Sequence, residues 1–203
     1  MYEIYLGIKR KWSISRISRE IEVSATTVLR EIRRNSNANG YNPLEINLKN
    51  VVSKNVTVKN CKFANFSNNA MTVFGMAEGG VLNIENNTFD LGKTSEAVRI
   101  SNKTNTKFTI NVKDCSYTYP TDAAGQGVGF FLFEDHTSKT AEEANAAMQF
   151  KNLKVNVDNV TFEGAKVTKL NLFTGARNQF ACMYYDKSGY VVDATHFPTF
   201  NFK

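Results

Sequence analysis

Arg30, Arg33 and Arg34, with Ala25, Thr26 and Thr27 just before them, are the residues best placed by type and spacing to do chemistry, and that chemistry is recognition of a polyanion. An arginine fork grips a guanine edge bidentately or neutralises a phosphate. Small and hydroxyl-bearing residues at the start of a helix fit against base edges when that end enters a groove. The surrounding charge agrees in sign: residues 1–43 hold eight Lys and Arg against four Glu, and so carry most of the chain's formal +6. A basic cluster on a short helical segment is the footprint of a polyanion binder, and by itself it equally describes a solvated helix face or a small docking domain.

Other chemistries find less support. The 3 cysteines, Cys61, Cys115 and Cys182, stand far apart without a CxxC pair, and there are only 2 histidines, so neither a zinc site nor a disulfide framework is expected. Glu134-Asp135-His136 is the best carboxylate cluster for polysaccharide cleavage. Neighbours on a strand point to opposite faces, so Glu134 and Asp135 make a poor acid–base pair, and a polar loop at a strand end is the better reading. The expectation is a non-enzymatic chain with no catalytic residue, metal ligand or cofactor.

The arginines need helices to position them. Ile14, Ile17, Ile21, Val28, Leu29 and Ile32 follow three-or-four spacing, broken once around Glu22 to Ser24. This predicts one helix from about Ile14 to Ile21 and a second from about Ala25 to Arg34. Ser13 and Ser24 stand where each would start, with hydroxyls able to accept from the free N–H groups of the first turn. Tyr5, Leu6, Ile8 and Trp12 would supply the third wall of so small a unit.

The stretch SISRISREIEVSATTVLREIRRNSNANGYNP resembles the N-terminal helix-turn-helix of a group of bacterial insertion-sequence transposases. The resemblance rests on Ile17-Ser18, Ser24, Thr26-Thr27, Arg30-Glu31-Ile32-Arg33-Arg34-Asn35 and Gly40-Tyr41. It implies DNA binding, with Ala25, Thr26, Thr27, Arg30, Arg33 and Arg34 as the nucleic-acid-binding residues. Two departures stand out. Glu22 occupies the place of the turn glycine, where a left-handed backbone strains any side chain. The three separated carboxylates that hold two metal ions in such transposases have no counterpart in the rest of the chain.

The segment Asn35 to Pro43, rich in Asn, Gly and Ser, reads as a linker, giving domains of 1–42 and 43–203. Past it the period becomes two. A motif apolar-x-apolar-x-Asn/Asp-x-x-aromatic occurs at Val56, Val58, Asn60, Phe63; at Leu82, Ile84, Asn86, Phe89; at Ile110, Val112, Asp114, Tyr117; and at Val155, Val157, Asn159, Phe162. Second strand-like runs lie between copies, at Ala70 to Phe74, Ala97 to Ile100 and Gly129 to Phe133. Such a repeat predicts a mainly β domain built as a right-handed parallel β-helix-like solenoid, preceded by the small all-α helix-turn-helix. The turn asparagines would align in a hydrogen-bonded ladder. Cys61 and Cys115 would lie two coils apart, about 9 to 10 Å at the usual strand spacing and too far for a disulfide. An antiparallel sandwich or meander with similar hairpins is the alternative.

The long third gap reads as a side excursion over residues 119 to 149, with a flexible Gly125-Gln126-Gly127 and a short helix over Ala141 to Met148 behind a Thr140/Glu143 capping box. Tyr184, Tyr185, Tyr190, Phe197, Phe200 and Phe202 would cap the open end of the solenoid, with sugar stacking or an oligomer interface as the other readings. The Val-x-Val-x-Asn-x-x-Phe coils resemble those of pectate-lyase-like β-helices and of bacteriophage fibre, tailspike and capsid-decoration proteins. Two functions follow as expectations. One is a DNA-binding protein whose β domain makes it a homo-oligomer. The other is a bacteriophage virion structural protein with a basic helical anchor, with capsid proteins or surface glycans as partners. No run of about 18 apolar residues and no signal-peptide core occur, so a cytoplasmic protein without a membrane partner is expected, or a virion one under the second reading.

Overall fold

The computed structural model describes residues 10–34, 36–37, 40–41, 46–48, 51–64, 69–92, 96–101, 106–123, 129–135, 150–171, 180–185, 189–191 and 197–203. The chain divides into two compact units, Met1–Ile46 and Asn47–Lys203. Among the described residues no helix is long and apolar enough to cross a membrane. Of the features expected from sequence, Tyr5, Leu6, Ile8, Gly125 to Gly127, His136, Thr140, Glu143 and the helix over 141–148 lie outside the described residues.

The first unit holds α1 (Ile14–Glu20) and α2 (Ala25–Arg34), the two helices expected. Segment 35–43 is more than a linker: β1 (Ser36–Asn37) and β2 (Gly40–Tyr41) pair antiparallel within it.

The second unit is mainly β, with parallel sheets. β3 (Ile46–Leu48) begins on the last residue of the first unit and runs into the second. Each motif copy then supplies three strands: β4 (Asn55–Lys59), β5 (Lys62–Ala64) and β6 (Asn69–Val73); β7 (Gly80–Glu85), β8 (Thr88–Asp90) and β9 (Glu96–Ile100); β10 (Phe108–Lys113), β11 (Ser116–Thr118) and β12 (Gly129–Asp135); and β13 (Lys154–Asp158), β14 (Thr161–Phe162) and β16 (Ala181–Tyr185). Corresponding strands pair in parallel, giving a first sheet β4-β7-β10-β13-β18, a second β5-β8-β11-β14 and a third β3-β6-β9-β12-β16. Here β18 is Thr199–Phe202. Two short strands add antiparallel edges, β15 (Ala165–Lys166) on β14 and β17 (Gly189–Val191) on β16. Parallel pairing contradicts the antiparallel alternative, whose hairpins would place consecutive strands side by side in one sheet.

Burial follows from the motif. Its two apolar positions point inward, so Leu82, Ile84, Ile110, Val112, Val155 and Val157 are buried while the residues between them are partly open. The motif aromatics stack in register through the second sheet: Phe63 lies on Phe89 with ring centroids 5.0 Å apart, and Tyr117 on Phe162 at 4.9 Å. Phe130 meets both Phe89 and Tyr117 edge-on at 5.3 Å. Such pairs contribute about 0.5–1.5 kcal/mol beyond their burial. The third sheet differs, because every residue of β6 is buried and both its faces are therefore covered.

Between first and second sheets the chain turns at Asn60, Asn86, Asp114 and Asn159, at φ +57°, +49°, +52° and +51°. These are the motif's fixed Asn/Asp positions. A left-handed backbone is costly for most side chains and least so for Gly, Asn and Asp, which bond locally. The expected ladder forms in part, as two separate rungs: Asn86 Nδ2 donates to Asn60 Oδ1 at 2.8 Å and Asn159 Nδ2 to Asp114 Oδ1 at 2.7 Å.

A second ladder, unforeseen from sequence, runs along the first sheet. Asn111 donates to Asn83 at 2.8 Å, Asn156 to Asn111 at 2.8 Å and Asn201 to Asn156 at 2.9 Å. Beside it Lys59, Glu85, Lys113 and Asp158 stand in register with alternating charge. Opposite charges directly across a strand pair favour this register over a slipped one.

One expectation needs correcting. The excursion does not span 119–149, since Gly129–Asp135 is a full strand of the third sheet. At the C-terminal end, Phe200-Asn201-Phe202 is a fifth copy of the apolar-Asn-apolar core and the end strand of the first sheet. It pairs Val155↔Phe200 and Val157↔Phe202, and Phe200 packs edge-on against Phe131, Phe133 and Phe180. Phe197 is buried against Phe133.

Candidate functional site

The helical pair is held by few contacts, each traceable to sequence. Ser13 caps α1 through its Oγ, which accepts from Arg16 N at 3.2 Å. Ser24 does the same for α2, accepting from Thr27 N at 3.1 Å. Ile17 and Val28 form the buried centre, with Trp12, Ile14 and Ile21 packed around them. Leu29, expected on the apolar face, is 40% exposed. Between the helices Glu22 holds φ +54°, the left-handed conformation that a turn glycine would occupy.

Ala25, Thr26 and Thr27 are exposed at the N-terminal end of α2. Arg30, Arg33 and Arg34 lie on the same helix, and their side chains fall outside the described residues. At roughly 100° per residue, positions 26, 30 and 33 fall on the flank opposite Val28, positions 27 and 34 lie at its margin, and Ala25 turns toward the side of Val28. The fold thus gathers Thr26, Arg30 and Arg33 on one face and sets Ala25 apart. The Thr27 hydroxyl is already engaged, 2.9 Å from Ser24 Oγ.

Two further cations belong to this unit and did not figure among the expected site residues. The guanidinium of Arg16 lies 4.2 Å from the Trp12 ring centroid and that of Arg10 lies 5.2 Å from it. A cation over an indole face gains about 0.5–1 kcal/mol at exposed sites and is held in place by it. The sequence signal was a lone Trp flanked by basic residues.

The carboxylate cluster expected in a loop is elsewhere. Glu134 is a buried residue of β12, 3.4 Å from Arg99 Nε, and Arg99 also reaches Glu96 at 3.9 Å. Glu96 is 3% exposed, and burial pushes its carboxyl up to about 8 against the opposing pull of Arg99. These three groups form a largely buried polar cluster on the third sheet, in which Glu134 is paired with Arg99. Cys61, Cys115 and Cys182 are free thiols, and burial pushes that of Cys115 up to about 11. Among the described residues no three His, Cys, Asp or Glu side chains gather as a metal site would require. No family model, no curated protein and no solved structure matches the chain.

Proposed function

We propose a non-enzymatic, two-part protein that binds DNA through its N-terminal helix-turn-helix and uses a β-solenoid for oligomerisation or attachment. The observation that carries this reading is the capped α1–turn–α2 pair with Thr26, Arg30 and Arg33 on the helix face away from its core. In that reading α2 lies in a major groove, its first turn meets base edges, and the arginines contact bases or phosphates. Arg10 and Arg16, steadied over Trp12, add backbone contacts.

For the larger unit the proposal is a right-handed parallel β-helix. Its support is that each repeat gives one strand to each of three parallel sheets, and that crossovers between parallel strands are right-handed almost without exception. A solenoid of this kind holds several copies together, which gives short recognition helices useful affinity. The second reading is a phage virion structural protein with the helical unit as its anchor, acting on capsid proteins or surface glycans. The stacked asparagine ladders favour it, since they suit a rigid projecting element. The first reading places the protein in the cytoplasm, the second in the virion.

The deciding experiment measures binding of the full chain to random and genomic DNA fragments, beside an Arg30→Ala/Arg33→Ala variant. Selective binding that collapses in the variant supports the first reading. Absence of binding at about 50 mM salt, where phosphate contacts are strongest, rejects it in favour of the second.

A further inference from the structure

Trp12, the only tryptophan of the chain, gathers two cations around a ring that is itself fixed. Its indole is partly buried and packs against Ile17 and Val28, the centre of the helical unit. The Arg16 guanidinium reaches the ring from the first turn of α1, and the Arg10 guanidinium from the turn before it, where Lys11 holds φ +56°. That left-handed backbone is costly for a lysine, and it falls between two of the residues that meet. Arg10, Lys11 and Arg16 are all exposed. Among the described residues neither guanidinium is ion-paired with a carboxylate, Glu20 one helical turn beyond Arg16 included. Two positive charges are thus held beside one ring with no counter-charge, an arrangement that an anion relieves.

Resting on the DNA-binding reading, we infer that Trp12 is a positioning residue whose indole presents Arg10 and Arg16 as a pre-formed clamp for the DNA phosphate backbone. The clamp supplies affinity without sequence preference, because phosphates carry no base information. Selectivity is left to Thr26, Arg30 and Arg33 on α2. The two arginines lie where such a contact belongs, on the first helix and the turn before it: in a helix-turn-helix that helix crosses the backbone while the second enters the groove. Holding them in advance matters, because ordering a long side chain at an interface lowers affinity by about two- to tenfold. An arginine already braced against a ring loses less.

The test titrates the full chain across a salt series with the genomic duplex it binds best and with a random-sequence duplex. Four forms are compared: unmodified, Trp12→Leu, Arg10→Gln/Arg16→Gln, and the triple variant. The arginine variant alters only exposed side chains. It should weaken binding to both duplexes by the same factor, about tenfold for each charge-assisted contact, with a salt slope smaller by about 0.9 for each phosphate lost. Trp12→Leu keeps an apolar side chain for the core and should weaken both by about fivefold. Trp12→Phe, which restores an aromatic face, should recover most of that loss. In the triple variant the tryptophan change should cost nothing further, because it acts through the two arginines. Amide hydrogen exchange in α1 and α2 reports whether each variant keeps the helical pair; should Trp12→Leu loosen it, the arginine variant decides. A tryptophan effect that repeats in full in the triple variant, with the helices intact, overturns the inference. So does an arginine variant with unmoved affinity and slope while Arg30→Ala/Arg33→Ala abolishes selective binding, a result that leaves the DNA-binding reading standing. Failure of the unmodified chain to bind either duplex overturns both.

Discussion

Asn86 donates its side-chain amide to Asn60 Oδ1 at 2.8 Å, and both residues hold a left-handed backbone at the same point of successive repeats. Each residue serves twice: its backbone makes the corner between two sheets, and its side chain ties that corner to the neighbouring one. The two roles separate by mutation. Asn86→Ala loses the ladder bond and puts an ordinary Cβ in a left-handed turn, and should cost about 1–2 kcal/mol in urea unfolding. Asn86→Gly loses the bond alone and should cost less. Equal losses would mean the backbone conformation contributes nothing.

Asn87, the next residue, is buried, and both ends of its amide are hydrogen-bonded. Its Oδ1 accepts from Cys61 N at 2.9 Å and its Nδ2 donates to Val58 O at 2.9 Å. Asn87→Leu would strand a backbone donor and a carbonyl away from water, and should cost about 2–4 kcal/mol, at 1–3 for each stranded group with partial relaxation. The check is the shift of the denaturant midpoint at constant slope.

Much of this was legible in sequence because its physical cause is local. The four Asn/Asp corners, the aromatic column and both helices follow from residue types that few backbones tolerate elsewhere. What escaped notice depends on register. Asn83, Asn111 and Asn156 sit at the motif's variable position, and asparagine is a poor strand former, so nothing marked them until parallel pairing stacked them. Strands of two or three residues, such as Thr88–Asp90, are too short to show a period. The Arg99–Glu134 pair joins residues distant in sequence, and the unbroken burial of residues 129–134 hid the alternation that would have placed Glu134 within a strand. Phe200-Asn201-Phe202 is not followed by the turn asparagine, so nothing local marked it as a fifth copy.

Glu22 predicts a stabilised variant. At φ +54° its side chain strains the turn between α1 and α2, and Glu22→Gly should relieve this and stabilise the helical unit by up to about 1 kcal/mol. Amide hydrogen exchange in α1 and α2 should slow in the variant. Faster exchange would show that Glu22 makes a favourable interaction outweighing its strain.

The buried cluster predicts a pH dependence. Burial raises the Glu96 carboxyl from about 4.5 to about 8, so the folded chain binds this proton more tightly than the unfolded one. Its contribution to stability is complete below about pH 4.5 and is lost as pH rises toward 8. Unfolding free energy should therefore carry a falling component across that window, of at most about 1.4 kcal/mol per pH unit for one proton. Glu96→Gln, neutral throughout, should remove that component; a profile identical to that of the unmodified protein would mean Glu96 ionises normally in the fold.

The central claim, that α2 reads DNA, is tested most directly by the salt dependence of binding. For the unmodified chain the logarithm of the binding constant should fall linearly with the logarithm of salt concentration. The slope should shrink by about 0.9 for each phosphate-contacting arginine removed, in Arg30→Ala and again in Arg30→Ala/Arg33→Ala. If an arginine contacts a base instead, its loss should flatten sequence preference and leave the slope unchanged. Unaltered slope, affinity and preference in the double variant would contradict the claim.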